Sequence, residues 1–287
     1  MIFLQNETFS MEISTLGAEP QSLKNTKSNL EYIWNGNKEY WFRHAPLLFP
    51  MTGPTKDNMI SVEDTLYPMP NNGFARDLEF TVLEHDDTHA VFMLSDSAKT
   101  RSMYPFGFTL TVTYTLLADG YTAKAEIFAK DDLYFTFGWH PAFNLDINGE
   151  GTPLEQYYVC FEQKEQVDRN YPSNGVFITE KNFLDAKDFF DLSRSETAKG
   201  PIILENLKSP KVTLRCKTGD HGVTVTRGDM ATFVIWTCAP KQAQYLCLEP
   251  MRSFGDTTRP LELKKMKEAE FLEKGTTRVF ENSFFVF

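Results

Sequence analysis

Residues 108–116 read Phe-Thr-Leu-Thr-Val-Thr-Tyr-Thr-Leu, apolar and polar in strict alternation. Successive side chains of a strand point to opposite faces, so this period fits a half-buried β-strand and no helix. The turn signal Ala118-Asp119-Gly120 follows, and residues 122–128 repeat the pattern, which predicts a hairpin. Further strand candidates lie at 9–13, 79–84, 89–95, 133–137, 156–161, 212–216, 222–227, 232–238, 245–249 and 276–286. Helical periodicity is nearly absent: 182–192 has room for one helical turn, and 261–272 is charged enough for a loop or short helix. Residues 162–211 have mixed polarity and read as a long excursion over the sheet. Many short strands between turns predict a mainly β, antiparallel sandwich-like architecture. No Pro-, Gly- or Ser-rich linker and no repeat interrupts it, so one domain over 1–287 is expected.

A hydrophobic fraction of 41% with 25 Phe supplies a packed core. The formal net charge of −10 argues against nucleic acid or an anionic membrane surface as partner, since both need a basic footprint. Cys160, Cys216, Cys238 and Cys247 have neither a CxxC pair nor zinc-like spacing, which favours free thiols in a reducing compartment. Residues 1–7 show neither a basic leader nor a long apolar run, and no stretch approaches the ~20 apolar residues of a membrane span. A cytoplasmic location is the expectation.

Two apolar strands each deliver one ionisable group at their end. In Phe137-Gly138-Trp139-His140-Pro141, alternation puts Thr136, Gly138 and His140 on one face and Phe135, Phe137 and Trp139 on the other, and Pro141 stops the strand. His140 is then either a hydrogen-bonded turn histidine or a group facing a ligand. Glu249, in Cys247-Leu248-Glu249-Pro250, is either a solvated strand end or a carboxylate held in a cleft for use. Together they suggest acid/base chemistry. A third cluster, Met69-Pro70-Asn71-Asn72-Gly73-Phe74-Ala75-Arg76-Asp77, offers Arg76 as a donor fork or as half of a surface pair. The fourth, Trp41-Phe42-Arg43-His44-Ala45-Pro46-Leu47-Leu48-Phe49-Pro50, suits a sugar-site edge or a packed β-edge, with Arg43 and His44 open to either role. Trp34, Trp41 and Trp236 read as core, and Trp139 and Phe143 as weak candidates for stacking on a sugar.

In this order and at these separations, Arg43 to Pro50, Gly73 to Asp77, Tyr104-Pro105-Phe106, His140 to Asn144 and Cys247 to Pro250 resemble the aldose 1-epimerase (mutarotase) superfamily, in particular its LacX-like branch. The resemblance implies an antiparallel β-supersandwich of the galactose mutarotase-like kind. It also implies interconversion of the α and β anomers of a free hexose with no metal or cofactor. His140 would protonate the ring oxygen and Glu249 would take the proton from the C1 hydroxyl, from opposite sides of that carbon; Asn72, Arg76, Arg43 and His44 would bind the sugar. Three positions depart from the family pattern: Asn72 replaces a histidine, Pro54 stands where relatives often carry arginine, and no aromatic residue follows Pro250. Alternatives are a hexose-6-phosphate mutarotase with Arg43, Arg76 and Arg252 as a phosphate clamp, or a sugar-binding regulatory paralogue with weak or no turnover. The expected partner is a small carbohydrate, and the chain a monomer or homodimer.

Overall fold

The computed structural model describes the chain except for residues 174–175, 240 and 256–260. The alternating run forms the strand Phe108–Leu117, buried at every second residue, and pairs antiparallel with Gly120–Ala129 in the expected hairpin. These belong to a 15-stranded antiparallel sheet that begins at Leu47–Leu48, Gly138–Trp139, Tyr245–Met251, Thr232–Trp236 and Ile202–Glu205 and ends at Thr81–His85. A smaller sheet, Ile2–Gln5, Phe9–Ser14 and Glu19–Asn25, turns Met11, Ile13 and Leu23 into the same core as Phe92, Tyr114 and Phe284. Among the described residues no helix is long and apolar enough to cross a membrane.

Two sequence expectations need correction. The proposed helical turn at 182–192 lies in a strand, Val176–Asp191, which pairs with the 17-residue strand Tyr157–Ser173. Most of the 162–211 excursion is therefore a long hairpin. Its pairing register shifts between Cys160 and Glu165, between Glu165 and Gln166 and between Val167 and Arg169, while Asn182 and Ala186 take left-handed backbone angles. Each bulge resets which face a residue occupies, so period two is lost to inspection. The 261–272 segment divides into Leu261–Glu262, a 3₁₀ turn Leu263–Lys265 and the strand Glu270–Leu272.

What positions the site is one register kept across a break. Gly138 pairs with Met251 and Ala142 with Cys247, so the two short strands around His140-Pro141 run along Tyr245–Met251 as one interrupted strand. Carried through the interruption, that register sets His140 opposite Glu249. The faces fall as alternation requires: Trp139 packs edge-on against Phe137 and Tyr114 in the main core, while His140 lies on the other side.

The long hairpin is anchored by Arg169, fully buried, whose guanidinium donates to the Glu196 carboxylate at 2.7 Å and to the carbonyls of Glu196 and Gly200 at 3.0 and 3.1 Å. Arg169→Ala removes all three bonds, leaving the Glu196 and Gly200 carbonyls without this donor and the Glu196 carboxylate with Lys199 alone. The expected cost is about 3 kcal/mol, read as a lower urea midpoint at unchanged slope; a change within experimental error would show that the anchor is dispensable.

Candidate active site

A cleft of about 450 Å³ opens on the face that carries His140 and Glu249. His140 Nε2 lies 3.4 Å from Glu249 Oε2, with the two residues only 8% and 2% exposed. The usual way to fix an imidazole is a hydrogen bond from its second nitrogen, but His140 Nδ1 is buried without a partner. Aromatic contacts hold the ring instead. Trp41 stacks on it at 4.9 Å between centroids with planes 24° apart, and Trp236 meets it edge-on at 5.9 Å and 86°.

Burial decides the resting charges. It pushes His140 down to about 3, assisted by the positive charge of Arg76 and then Arg43. It raises Glu249 well above the usual carboxylate range, against the opposing pull of Arg76. Both shifts favour the uncharged forms, a neutral imidazole beside a protonated carboxyl.

Arg76, on the short 3₁₀ turn Ala75–Asp77, lines the cleft and donates to the Asn71 carbonyl at 2.6 Å. Burial and the neighbouring Arg43 charge press it down to about 10. Arg43 also lines the cleft, but its guanidinium is directed to Asp77 at 2.6 Å, while Arg76 Nε stays 4.0 Å from that carboxylate. Two cations thus share one carboxylate at the rim.

Asn72 lines the cleft at a left-handed backbone position (φ 65°), a conformation that asparagine tolerates. Its side-chain carbonyl accepts from the Gly53 N–H at 2.6 Å, and its own N–H donates to the Gly53 carbonyl at 2.8 Å. His44 is outside the lining: its N–H donates to Glu19 and its Nδ1 lies 2.7 Å from the Trp34 carbonyl. Arg252 is a correction to the clamp reading. One residue past Met251, it points away from the cleft, bonding the Asp229 carbonyl and pairing with Glu268 and Glu270.

Trp41 and Trp236, read from sequence as core, are walls of the cleft, and Phe254, Pro172 and Pro201 complete its apolar side. Parity was the available signal for Trp236, because it pairs with Cys247 two residues before Glu249 on the same face. Trp34 is buried, and Phe143 packs on Phe284 in the core. All four cysteines are free. Cys247 places its sulfur with His140 and Glu249 donor atoms within 4.8 Å of one another, the one three-ligand group among the described residues. Burial holds that thiol well above its usual range, so a metal there would have to displace protons from both thiol and carboxyl.

A sequence profile described as Aldose 1-epimerase matches residues 1–264, and the chain belongs to that family. The protein LacX of Lactococcus lactis subsp. lactis is 29% identical over 261 residues, 87% of this chain and 86% of LacX, which places the chain in the LacX-like branch. A galactose mutarotase-like protein from Lactobacillus casei ATCC 334 superposes with a TM-score of 0.93 at 28% identity, covering all of both chains. A galactose mutarotase related enzyme from Lactobacillus acidophilus gives 0.92 at 27%, over all of this chain and 97% of that one. The fold is the galactose mutarotase-like β-supersandwich, and family membership supports an isomerase of the epimerase or mutarotase type.

The directions of the two shifts set a test by NMR titration. The ordinary value of a histidine is 6.5, and protonation of His140 displaced far below it leaves the imidazole resonances unmoved between about pH 5 and pH 8. A titration of His140 centred near 6.5 would contradict the buried neutral pair.

Proposed function

We propose that this chain, as a single domain over 1–287, is an aldose 1-epimerase interconverting the anomers of a free hexose, with His140 and Glu249 as the acid/base pair. The observation that carries the reading is the buried pair itself, two titratable groups 3.4 Å apart at the floor of an open cleft. Ring opening requires a proton to reach the ring oxygen while another leaves the C1 hydroxyl, and both oxygens sit on one carbon. Two side-by-side groups, His140 toward the ring oxygen and Glu249 toward the C1 hydroxyl, serve the two oxygens that flank C1.

The working form has the shared proton on His140. Moving it from Glu249 keeps the net charge of the pair at zero and creates a carboxylate, which Arg76 favours, and an imidazolium, which the Trp41 face favours. His140 then protonates the ring oxygen, Glu249 accepts the C1 hydroxyl proton, and the ring opens to the aldehyde. After rotation about C1–C2 the same groups run in reverse, so each acts as acid and as base within a cycle. Trp41 and Trp236 supply apolar faces suited to a pyranose.

Anomer-exchange NMR tests this. Glu249→Gln and His140→Ala should each slow exchange by about 10²–10⁴-fold relative to the native chain, the usual contribution of a positioned acid or base. Exchange that survives both substitutions would sink the assignment. Sugar-induced shifts with no rate effect in the native protein would favour the binding paralogue.

A second reading, a hexose-6-phosphate substrate, is favoured by Arg43 and Arg76 sharing the single carboxylate of Asp77 at the rim. There Arg76→Ala should raise KM at least tenfold for a phosphorylated hexose and change little for the neutral sugar. An equal loss on both substrates would leave Arg76 a role in hexose binding alone.

A further inference from the structure

The apolar end of the cleft is made by Phe254, and the same residue lines a second cavity of about 210 Å³ bounded by Asn170, Glu205 and Lys267. One cross-strand row connects the two spaces. Glu249 pairs with Val234, Val234 with Ile203 and Ile203 with Asn170, so all four side chains share a face. With strands ~4.8 Å apart, this row carries Asn170 to about 14 Å from Glu249. Left bare, it would be the floor of a continuous groove. Val234 and Ile203 are instead 1% and 2% exposed, because Phe177 and Phe254 pack on them, their rings edge-to-face at 5.8 Å.

This wall is braced from the opposite loop. Gly53 and Gly255 both have positive φ, and their backbones pass so close that a Cβ on Gly53 would lie 2.6 Å from the Gly255 nitrogen, and one on Gly255 2.4 Å from the Pro54 carbonyl oxygen. No side chain fits between them. The Thr52 hydroxyl donates to the Ser253 carbonyl, and Asn72 grips Gly53 through both of its backbone groups. Asn72 and Pro54, two of the three departures from the family pattern, thus belong to one assembly whose product is the position of Phe254.

We propose that Phe254, braced by the Asn72–Gly53–Pro54 turn and buttressed by Phe177, is a specificity-determining residue that limits the substrate to a single hexose ring and excludes reducing disaccharides. The inference rests on reading the cleft as a sugar site. A disaccharide with its reducing ring at His140 and Glu249 would direct its second ring along the Val234–Ile203 row, where Phe254 stands. With that ring removed the two cavities join, and Asn170, Glu205 and Lys267 offer polar partners to the second sugar's hydroxyls.

The test compares glucose with maltose on the native chain, Phe254→Ala and Phe177→Ala, measuring affinity by calorimetric titration and turnover by anomer exchange. In the native chain maltose should bind and exchange at least a hundredfold less well than glucose. Phe254→Ala should raise the maltose-to-glucose ratio at least tenfold, and Phe177→Ala, which leaves Phe254 unbuttressed, should raise it by a smaller factor. Should Phe254→Ala fail to fold, Phe177→Ala and its affinity ratio decide. Equal use of both sugars by the native chain, or a ratio unmoved in the folded variants, would overturn the wall. Sugar binding that follows these ratios without any exchange would keep the wall and sink the enzyme reading; binding of neither sugar would sink both.

Discussion

The antiparallel pairing of Tyr245–Met251 with the interrupted strand around Pro141 is the constraint from which the site follows. Pro141 has no N–H for the ladder, yet its carbonyl still accepts from Leu248 N–H at 3.1 Å, so the break changes no register. Because side chains alternate, a slip of one residue would bring Leu248 or Pro250 into the cleft in place of Glu249. On the other edge the same strand sets Val234 beside Glu249 and Trp236 beside Cys247. The buried His140–Glu249 pair, the aromatic wall and the apolar row are thus consequences of a single alignment.

That alignment buries two titratable groups together, and the charges around them are distributed unevenly. Asp77 is bonded by Arg43 and lies 4.0 Å from Arg76 Nε, so one carboxylate serves two cations and the field of Arg76 also acts on Glu249 and His140. Arg76 favours Glu249 charged and His140 neutral, so of the two it assists only the carboxylate. The imidazolium needs another source of stabilisation. Besides Glu249 itself, the group stacked on the ring among the described residues is Trp41, whose indole face attracts a cation most strongly where water is excluded.

Much of the fold was legible because period two survives wherever a strand has one buried face, as in Phe108–Leu117 and Gly120–Ala129. The Tyr157–Asp191 hairpin was not, since bulges and left-handed residues break the period that inspection depends on. His140 and Glu249 stood out as single ionisable groups ending apolar runs. Trp41 and Phe254 did not, because each reaches the cleft from a loop whose path is set by distant contacts. Arg252 could have been judged correctly: counting parity from Glu249 puts it on the opposite face. His44 carries the lesson of neighbouring letters, adjacent to Arg43 in sequence and turned to the Trp34 carbonyl in space.

On the proposed reading, Asn72 shapes the cleft and moves no proton. A histidine there would add a second site for a proton beside the pair, whereas the asparagine side chain does not titrate; its carbonyl holds the Gly53 N–H with one lone pair and keeps the other, and its NH2, for hydrogen bonding. Its backbone N–H is likewise committed to Gly53. The proton work on the proposed reading is therefore complete in His140 and Glu249, and the residue at 72 acts on the shape of the cleft. A substitution at 72 that removes the side-chain carbonyl loses the Gly53 N–H bond and keeps the backbone bond to the Gly53 carbonyl, so on this reading its effect falls on the turn carrying Pro54 and on the Gly255 backbone packed against it.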